Sequence, residues 1–262
     1  MGSVGTWAWA ERTNGRLRRR DRAELLRQGV LARLGALPAR VTGRLSDGPA
    51  LEIPTPPDSA LALLADERVR ELSAPELYGH CLRTWAFAAM FGARDNVEHD
   101  PELLYLACVL HDLGLTSAHD AADASAGCFA VEGARAAHRL ICDHGDSQTR
   151  ARTVAEAITL HLNVTVPARM GAEAMLLSKG VSLDTVGRCL HQLPQRSLSA
   201  VATRWPRDGS TEYLVASTER QATIRPQSRS AFLHGLGFAK LLRANPLDYS
   251  PSLRTPSSSK PK

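Results

Sequence analysis

The chain has 262 residues, 44% of them hydrophobic and 23% charged, which suffices for one large globular domain with a real core. No apolar run approaches the ~18 residues of a membrane span, and the N-terminus carries Glu11 and an arginine cluster instead of an apolar signal core, so neither insertion nor secretion is expected and the expected compartment is the cytoplasm. The formal charge of +5 comes from arginine, since only Lys179, Lys240, Lys260 and Lys262 among 32 basic residues are lysines; its densest stretch, Arg16 to Arg22, has no aromatic interleaving, reads as a solvated face and argues against a nucleic-acid partner.

Aromatic residues make up 5% of the chain, so the core must be built from Ala, Leu and Val, and strong helix formers fill the periodic stretches. Five cysteines, at 81, 108, 128, 142 and 189, include no CxxC pair; they read as reduced, buried thiols, not as a disulfide frame or a zinc knuckle.

In chain order, residues 1 to about 15 are rich in Gly, Ser, Thr and Asn and read as loose, with Trp7 and Trp9 available to dock. From Arg22 to about Leu37 the spacing of Leu25, Leu26, Val30, Leu31 and Leu34 predicts an amphipathic accessory helix. Gly48, Pro49, Pro54, Pro56 and Pro57 mark a connector. The boundaries expected are an N-terminal extension over 1–57, a main helical domain over 58–248, and a disordered Ser/Pro/Lys tail over 249–262.

Within the main domain, Asp58 or Ser59 can cap a helix over Ala60 to Arg70, and Ser73 with Glu76 forms a capping-box pattern opening Pro75 to Phe91. Pro101 starts a helix that ends at His111-Asp112, with Gly114 as the stop. Thr116 to Gly127 is small and acidic, with His119, Asp120 and Asp123, and reads as a lid or a plain solvent loop. Further helices are predicted over Phe129 to Cys142, from Thr149 or Thr153 to His161, over Gly171 to Lys179, from the stretch Gly180 to Asp184 toward Leu193, and over Leu214 to Ile224 and Ser230 to Arg243. Ser197 to Glu212 reads as broken and polar, and no alternating strand pattern occurs.

Four residues fall at or near predicted helix ends: His80, His111, Asp112 and Asp184. Capping accounts for Asp112 alone. Two imidazoles and two carboxylates suit zinc, iron, manganese or magnesium and would leave coordination positions open to water and substrate.

The order His80, His111-Asp112, Asp184 resembles the HD superfamily of metal-dependent phosphohydrolases, an all-helical fold, and within it the branch containing cyanamide hydratase. Further blocks carry the likeness: His80-Cys81-Leu82-Arg83-Thr84, Leu110 to Thr116, Val131-Glu132-Gly133-Ala134, Ala157 to His161, Val166 to Arg169, Leu183 to Gly187, Arg229 to Leu233 and Asn245-Pro246. The resemblance implies an all-α HD-type bundle in which His80, His111, Asp112 and Asp184 bind one divalent metal. It further implies that His161 contacts the substrate or shuttles a proton alongside Asp112, and that Thr116 and Phe129 wall the pocket. Arg83 and Arg169 could hold an anionic substrate, or could instead pair internally with Glu132 or Glu173. His138 could join a second metal or pack on a helix face. Where the branch carries Arg-Phe-Glu, this chain has Cys128-Phe129-Ala130.

The activity implied is water attack on a small polar molecule, as a hydratase of nitrile-like carbon. The alternatives are a phosphohydrolase acting on a nucleotide or other phosphoester, and a metal-retaining interaction domain without catalysis. A small-molecule substrate, no membrane and a homo-oligomer are the expected associations.

Overall fold

Helices account for every regular element among the described residues of the computed structural model, which are 3–42, 46, 48–119 and 127–249. Asp120, Asp123 and the tail beyond Tyr249 lie outside the described residues. The order is α1 (Trp7–Thr13), α2 (Arg19–Thr42), α3 (Ala60–Leu72), α4 (Pro75–Asp95), α5 (Pro101–Leu110), α6 (Phe129–Asp143), α7 (Gln148–Leu160), α8 (Ala172–Val186), α9 (Gln195–Arg204), α10 (Ser210–Ile224), α11 (Arg229–Gly235), α12 (Phe238–Arg243) and α13 (Pro246–Tyr249). The sole β feature among the described residues is an isolated bridge between Ser46 and Pro194.

The starts of these helices follow from local chemistry. Ser59 caps α3 and Asp100 caps α5, each accepting from backbone N–H groups of its first turn, and Pro101 stands at the first helical position of α5. Ser147, not Thr149 or Thr153, caps α7. The capping box expected at Ser73 does not form: Ser73 ends α3, Ala74 precedes α4 without a side-chain cap, and Pro75 alone sets its start.

Helix α4 is the axis of the bundle. Its residues from His80 to Ala88 are all buried, and it packs against α5 and α8. Alanines and leucines of α3 to α9 form one continuous core around it. A second core joins Val4, Trp9, Ala10, Leu17 and Leu25 to Leu77, Leu115, Phe129, Ala130 and Leu214.

That second core corrects the reading of the N-terminus as loose. Residues 7–13 are helical, and the segment is fastened at several points. Asn163 Nδ2 donates to the Val4 carbonyl (2.8 Å), the Trp7 N–H donates to Glu156, Trp7 stacks on the His138 ring (centroids 5.6 Å apart), and Gly127 N donates to the Asn14 carbonyl (2.6 Å). Composition favours a loose segment, but two tryptophans with buried docking faces outweigh it.

Two further departures come from glycine. Helix α8 runs unbroken through Gly180, where two helices were predicted, because a side chain there would collide with α4: a Cβ on Gly180 would lie 2.3 Å from the Thr84 carbonyl oxygen. The expected helix over Ser230 to Arg243 is instead split into α11 and α12 at Gly237, whose φ of +88° is open to glycine. The polar stretch read as broken carries α9 and the first turn of α10.

Candidate metal centre

Helix α5 delivers two of the expected ligands at its end. His111 keeps helical angles as the C-cap, and Asp112 leaves the helix (φ −107°, ψ 14°) into a 3-10 turn over Leu113–Leu115. Adjacent side chains on a helix diverge by about 100°; the break at Asp112 lets both turn inward. The Asp112 carboxylate makes no capping hydrogen bond. The turn is pressed onto α6 through two glycines, for a Cβ on Gly114 would meet the Phe129 carbonyl oxygen at 2.0 Å and one on Gly133 would meet Gly114 N at 3.0 Å.

Helix α4 supplies His80 from the facing side. His80 Nε2 and His111 Nε2 are 3.2 Å apart, and Asp112 Oδ2 lies 3.2 Å from His111 Nε2 and 3.5 Å from His80 Nε2. All three residues are buried, and their donor atoms fall within 4.8 Å of one another.

The hydrogen bonds behind these rings decide what the hole between them accepts. His111 Nδ1 donates to the Cys108 carbonyl (2.7 Å) and His80 Nδ1 donates to Asp184 Oδ2 (2.6 Å). Each ring therefore presents the Nε2 lone pair inward, beside an acceptor-only carboxylate oxygen. With both rings neutral, three lone-pair atoms converge here, which is the donor set of a cation site.

His161, the C-cap of α7, is built the same way. Its Nδ1 donates to the Ile158 carbonyl (2.6 Å), and its Nε2 faces Asp112 Oδ1 at 3.6 Å. Its ring lies edge-on to His111 (centroids 5.0 Å apart) and against Phe129 (5.8 Å).

Asp184 is placed differently from the ligand role that its order in the sequence implied. Its carboxylate sits on the far nitrogen of His80, outside the group of converging donors. Arg83 holds it with two hydrogen bonds (Nε to Oδ1 2.8 Å, Nη2 to Oδ2 3.1 Å), and Arg207 Nη1 reaches Oδ1 at 2.5 Å. Asn245 and Arg207 also donate to the Asp184 carbonyl.

Arg83 is correspondingly not free for a substrate. It is wholly buried, and besides Asp184 it binds the Pro206 carbonyl (2.9 Å) and Ser210 Oγ (3.1 Å). The internal pairing foreseen for it exists, but with Asp184 in place of Glu132 or Glu173. Arg169 is exposed on the 3-10 turn Ala168–Met170. Thr116 is buried with its hydroxyl donated to the Leu113 carbonyl (2.8 Å), and Phe129 is buried against His161. His138 faces Trp7, away from the converging donors, which among the described residues are His80, His111 and Asp112.

Arg207, Ser210 and Arg229 escaped the sequence reading as site residues. Arg207 lies in the loop before α10, with no local pattern to mark it, whereas Arg229 and Asn245 stood in the blocks that carried the resemblance.

The electrostatics follow from this geometry. Burial works against charge on Asp184, yet Arg207 and Arg83 hold its carboxyl well below the ordinary range. Burial also opposes protonation of His111, but the Asp112 charge prevails and raises its pKa well above the usual value. Burial, reinforced by the His111 charge, pushes His161 down to about 3. A proton on His111 Nε2 and a cation are therefore competitors for the same hole.

The chain is all-helical among the described residues, and residues 77–191 match the HD domain family, a span holding His80, His111, Asp112, His161 and Asp184. Among curated proteins the chain is similar to cyanamide hydratase DDI2 and cyanamide hydratase DDI3 of Saccharomyces cerevisiae. Each is 25% identical to it over 206 residues, which is 77% of this chain and 89% of the relative. No helix among the described residues is long and apolar enough to cross a membrane.

Proposed function

We propose that the protein is a metal-dependent hydratase or hydrolase that adds water to a small polar substrate, with hydration of a nitrile-like carbon as the leading activity. The observation that carries it is the convergence of His80 Nε2, His111 Nε2 and Asp112 Oδ2 as bare acceptors, each ring's other nitrogen already spent as a donor. His80, His111 and Asp112 would hold a divalent cation, which would supply Lewis acidity and lower the pKa of water toward neutrality. Likeness to the two yeast cyanamide hydratases supports the nitrile-like carbon.

The chain's own residues divide the remaining work. Asp184 fixes the His80 tautomer, while Arg83 and Arg207 keep Asp184 ionised for that task. His161, with Nδ1 tied to a carbonyl, offers only Nε2 to the reactants. We assign it the proton relay: it would take a proton from water as attack begins and return it to the substrate nitrogen, so that water adds across the carbon–nitrogen bond with no net proton change. Phe129 packs against the ring and limits its rotation.

The phosphoester alternative loses part of its support, because Arg83 is committed to Asp184. Metal analysis of wild type against His111→Ala and Asp112→Ala tests the centre, with near-stoichiometric metal expected in wild type and loss in both variants. Wild type that stays metal-free after reconstitution overturns the centre. A panel of cyanamide, nitriles, nucleotides and generic phosphoesters then tests the reaction, and turnover of phosphoesters alone would replace the hydratase reading.

A further inference from the structure

Asp184 is held by its main chain as well as its carboxylate, and part of that hold comes from the far end of the chain. It lies in the last turn of α8, where carbonyls have run out of helical N–H partners. Asn245 Nδ2 (2.8 Å) and Arg207 Nη1 (2.7 Å) donate to the Asp184 carbonyl in their place. Gly187 closes α8 in the left-handed region (φ +65°), and a Cβ there would lie 2.5 Å from Pro246 Cδ. Glycine thus lets the Asn245-Pro246 corner seat on the helix end.

That corner opens α13. Asn245 is wholly buried, and its Oδ1 accepts from Leu247 N (3.0 Å) while Pro246 takes the first helical position. One turn of helix then carries Asp248 to Arg207. Asp248 Oδ1 accepts from Arg207 Nε (2.8 Å), and its Oδ2 accepts from Thr211 Oγ1 (2.7 Å) on α10. A continuous line of hydrogen bonds results: His80 Nδ1 to Asp184 Oδ2 (2.6 Å), Arg207 Nη1 to Asp184 Oδ1 (2.5 Å), and Arg207 Nε to Asp248.

A guanidinium is a rigid plane with donors at fixed angles, so seating Nε on Asp248 aims Nη1 at Asp184. Asp248 also shares the arginine's charge. If Asp184 faced that charge alone, its carboxylate would be a poorer acceptor for the His80 proton. We propose that Asp248 is a positioning residue of the metal centre, acting through Arg207 and Asp184 on the orientation of the His80 ring, with Asn245 fastening α13 for that purpose. This rests on the reading of His80, His111 and Asp112 as a metal centre, and it extends the support of that centre to the last helix of the chain.

The test uses full-length protein and Asp248→Asn, which keeps the side chain's shape and removes its charge at a site 22% exposed. In metal-free protein the His80 Nδ1–H resonance, assigned by its loss in His80→Gln, is expected to move upfield as the bond to Asp184 weakens. Zinc affinity by isothermal titration should fall about three- to tenfold, less than the roughly 10–100-fold that follows loss of a partner touching the ligand itself. In an Arg207→Lys background, where the rigid plane is gone, Asp248→Asn should cost no further affinity. An unmoved His80 resonance overturns the proposal even if Arg207→Lys does not fold, as does an Asp248→Asn protein that binds zinc like wild type. Equal losses of affinity with and without Arg207 also overturn it, since α13 would then only brace the fold. Wild type that takes up no zinc would sink the metal centre instead, and the metal-free resonance would still decide whether Asp248 acts on His80.

Discussion

Gly180 of α8 lies so close to Thr84 of α4 that a Cβ would stand 2.3 Å from the Thr84 carbonyl oxygen, and this contact delivers Asp184 to His80. Each is one turn from the contact point, Asp184 four residues after Gly180 and His80 four before Thr84, on helices that run past one another. Gly180→Ala should force the pair apart, costing about 1–3 kcal/mol as overpacked cores do. The His80–Asp184 bond should lengthen with it, so metal affinity should fall together with melting temperature. A Gly180→Ala protein that melts and binds metal like wild type would show that the crossing is looser than drawn.

Asp184→Asn keeps the shape of the side chain and removes its charge. Arg83 and Arg207 would then sit buried without their counterion, and breaking such a pair costs ~3–5 kcal/mol. Metal affinity should drop roughly 10–100-fold, the range seen when a supporting partner of a ligand is lost, whereas His111→Ala and Asp112→Ala should abolish binding. Isothermal titration with zinc separates the cases: abolition by Asp184→Asn in a folded protein would make Asp184 a direct ligand.

The pH dependence of stability can be assigned a sign. Burial and the His111 charge hold the His161 pKa at about 3 in the folded chain, against 6.5 for a free imidazole. Between those values the unfolded state binds the extra proton, so stability rises with pH across that window and is lost as pH falls through it. In metal-free protein, His161→Gln should flatten denaturant-derived stability between about pH 6 and pH 4. An unchanged slope would mean that His161 is solvated in the fold.

Trp9 covers the Arg229 guanidinium at 5.1 Å. Trp9→Ala removes both the ring's buried area and a desolvated cation–π contact, together ~3–5 kcal/mol at a core site. The N-terminal segment should detach first, giving early trypsin cleavage after Arg12, Arg16 or Arg18 while the bundle stays intact. Resistance at these bonds equal to wild type would show that the other fastenings suffice.

Much of the fold was readable residue by residue. The apolar spacing of α3 to α7 and the proline starts of α4 and α5 are local effects, so their elements match expectation to within a few residues. His111-Asp112 was also legible, because a polar pair closing an apolar run has no packing reason to exist and capping could account for Asp112 alone; the structure shows no such cap. Errors gathered where a distant contact overrode local preference. Gly180 suggests a helix break until α4 is seen against it, and Gly, Ser and Thr around Trp7 suggest a loose segment until Glu156, Asn163 and Arg229 are seen to receive it.

The sequence by itself determined an all-helical chain and marked His80, His111, Asp112 and Asp184 as the candidate ligands, since residue type and helical period are properties of short stretches. Only the tertiary structure decided that Asp184 serves His80 from behind, that Arg83 is spent on Asp184, and that Arg229 is buried beneath Trp9. Those roles depend on which nitrogen of a ring meets which oxygen across residues about a hundred positions apart, and separations of that kind are set by helix crossings that no local pattern encodes.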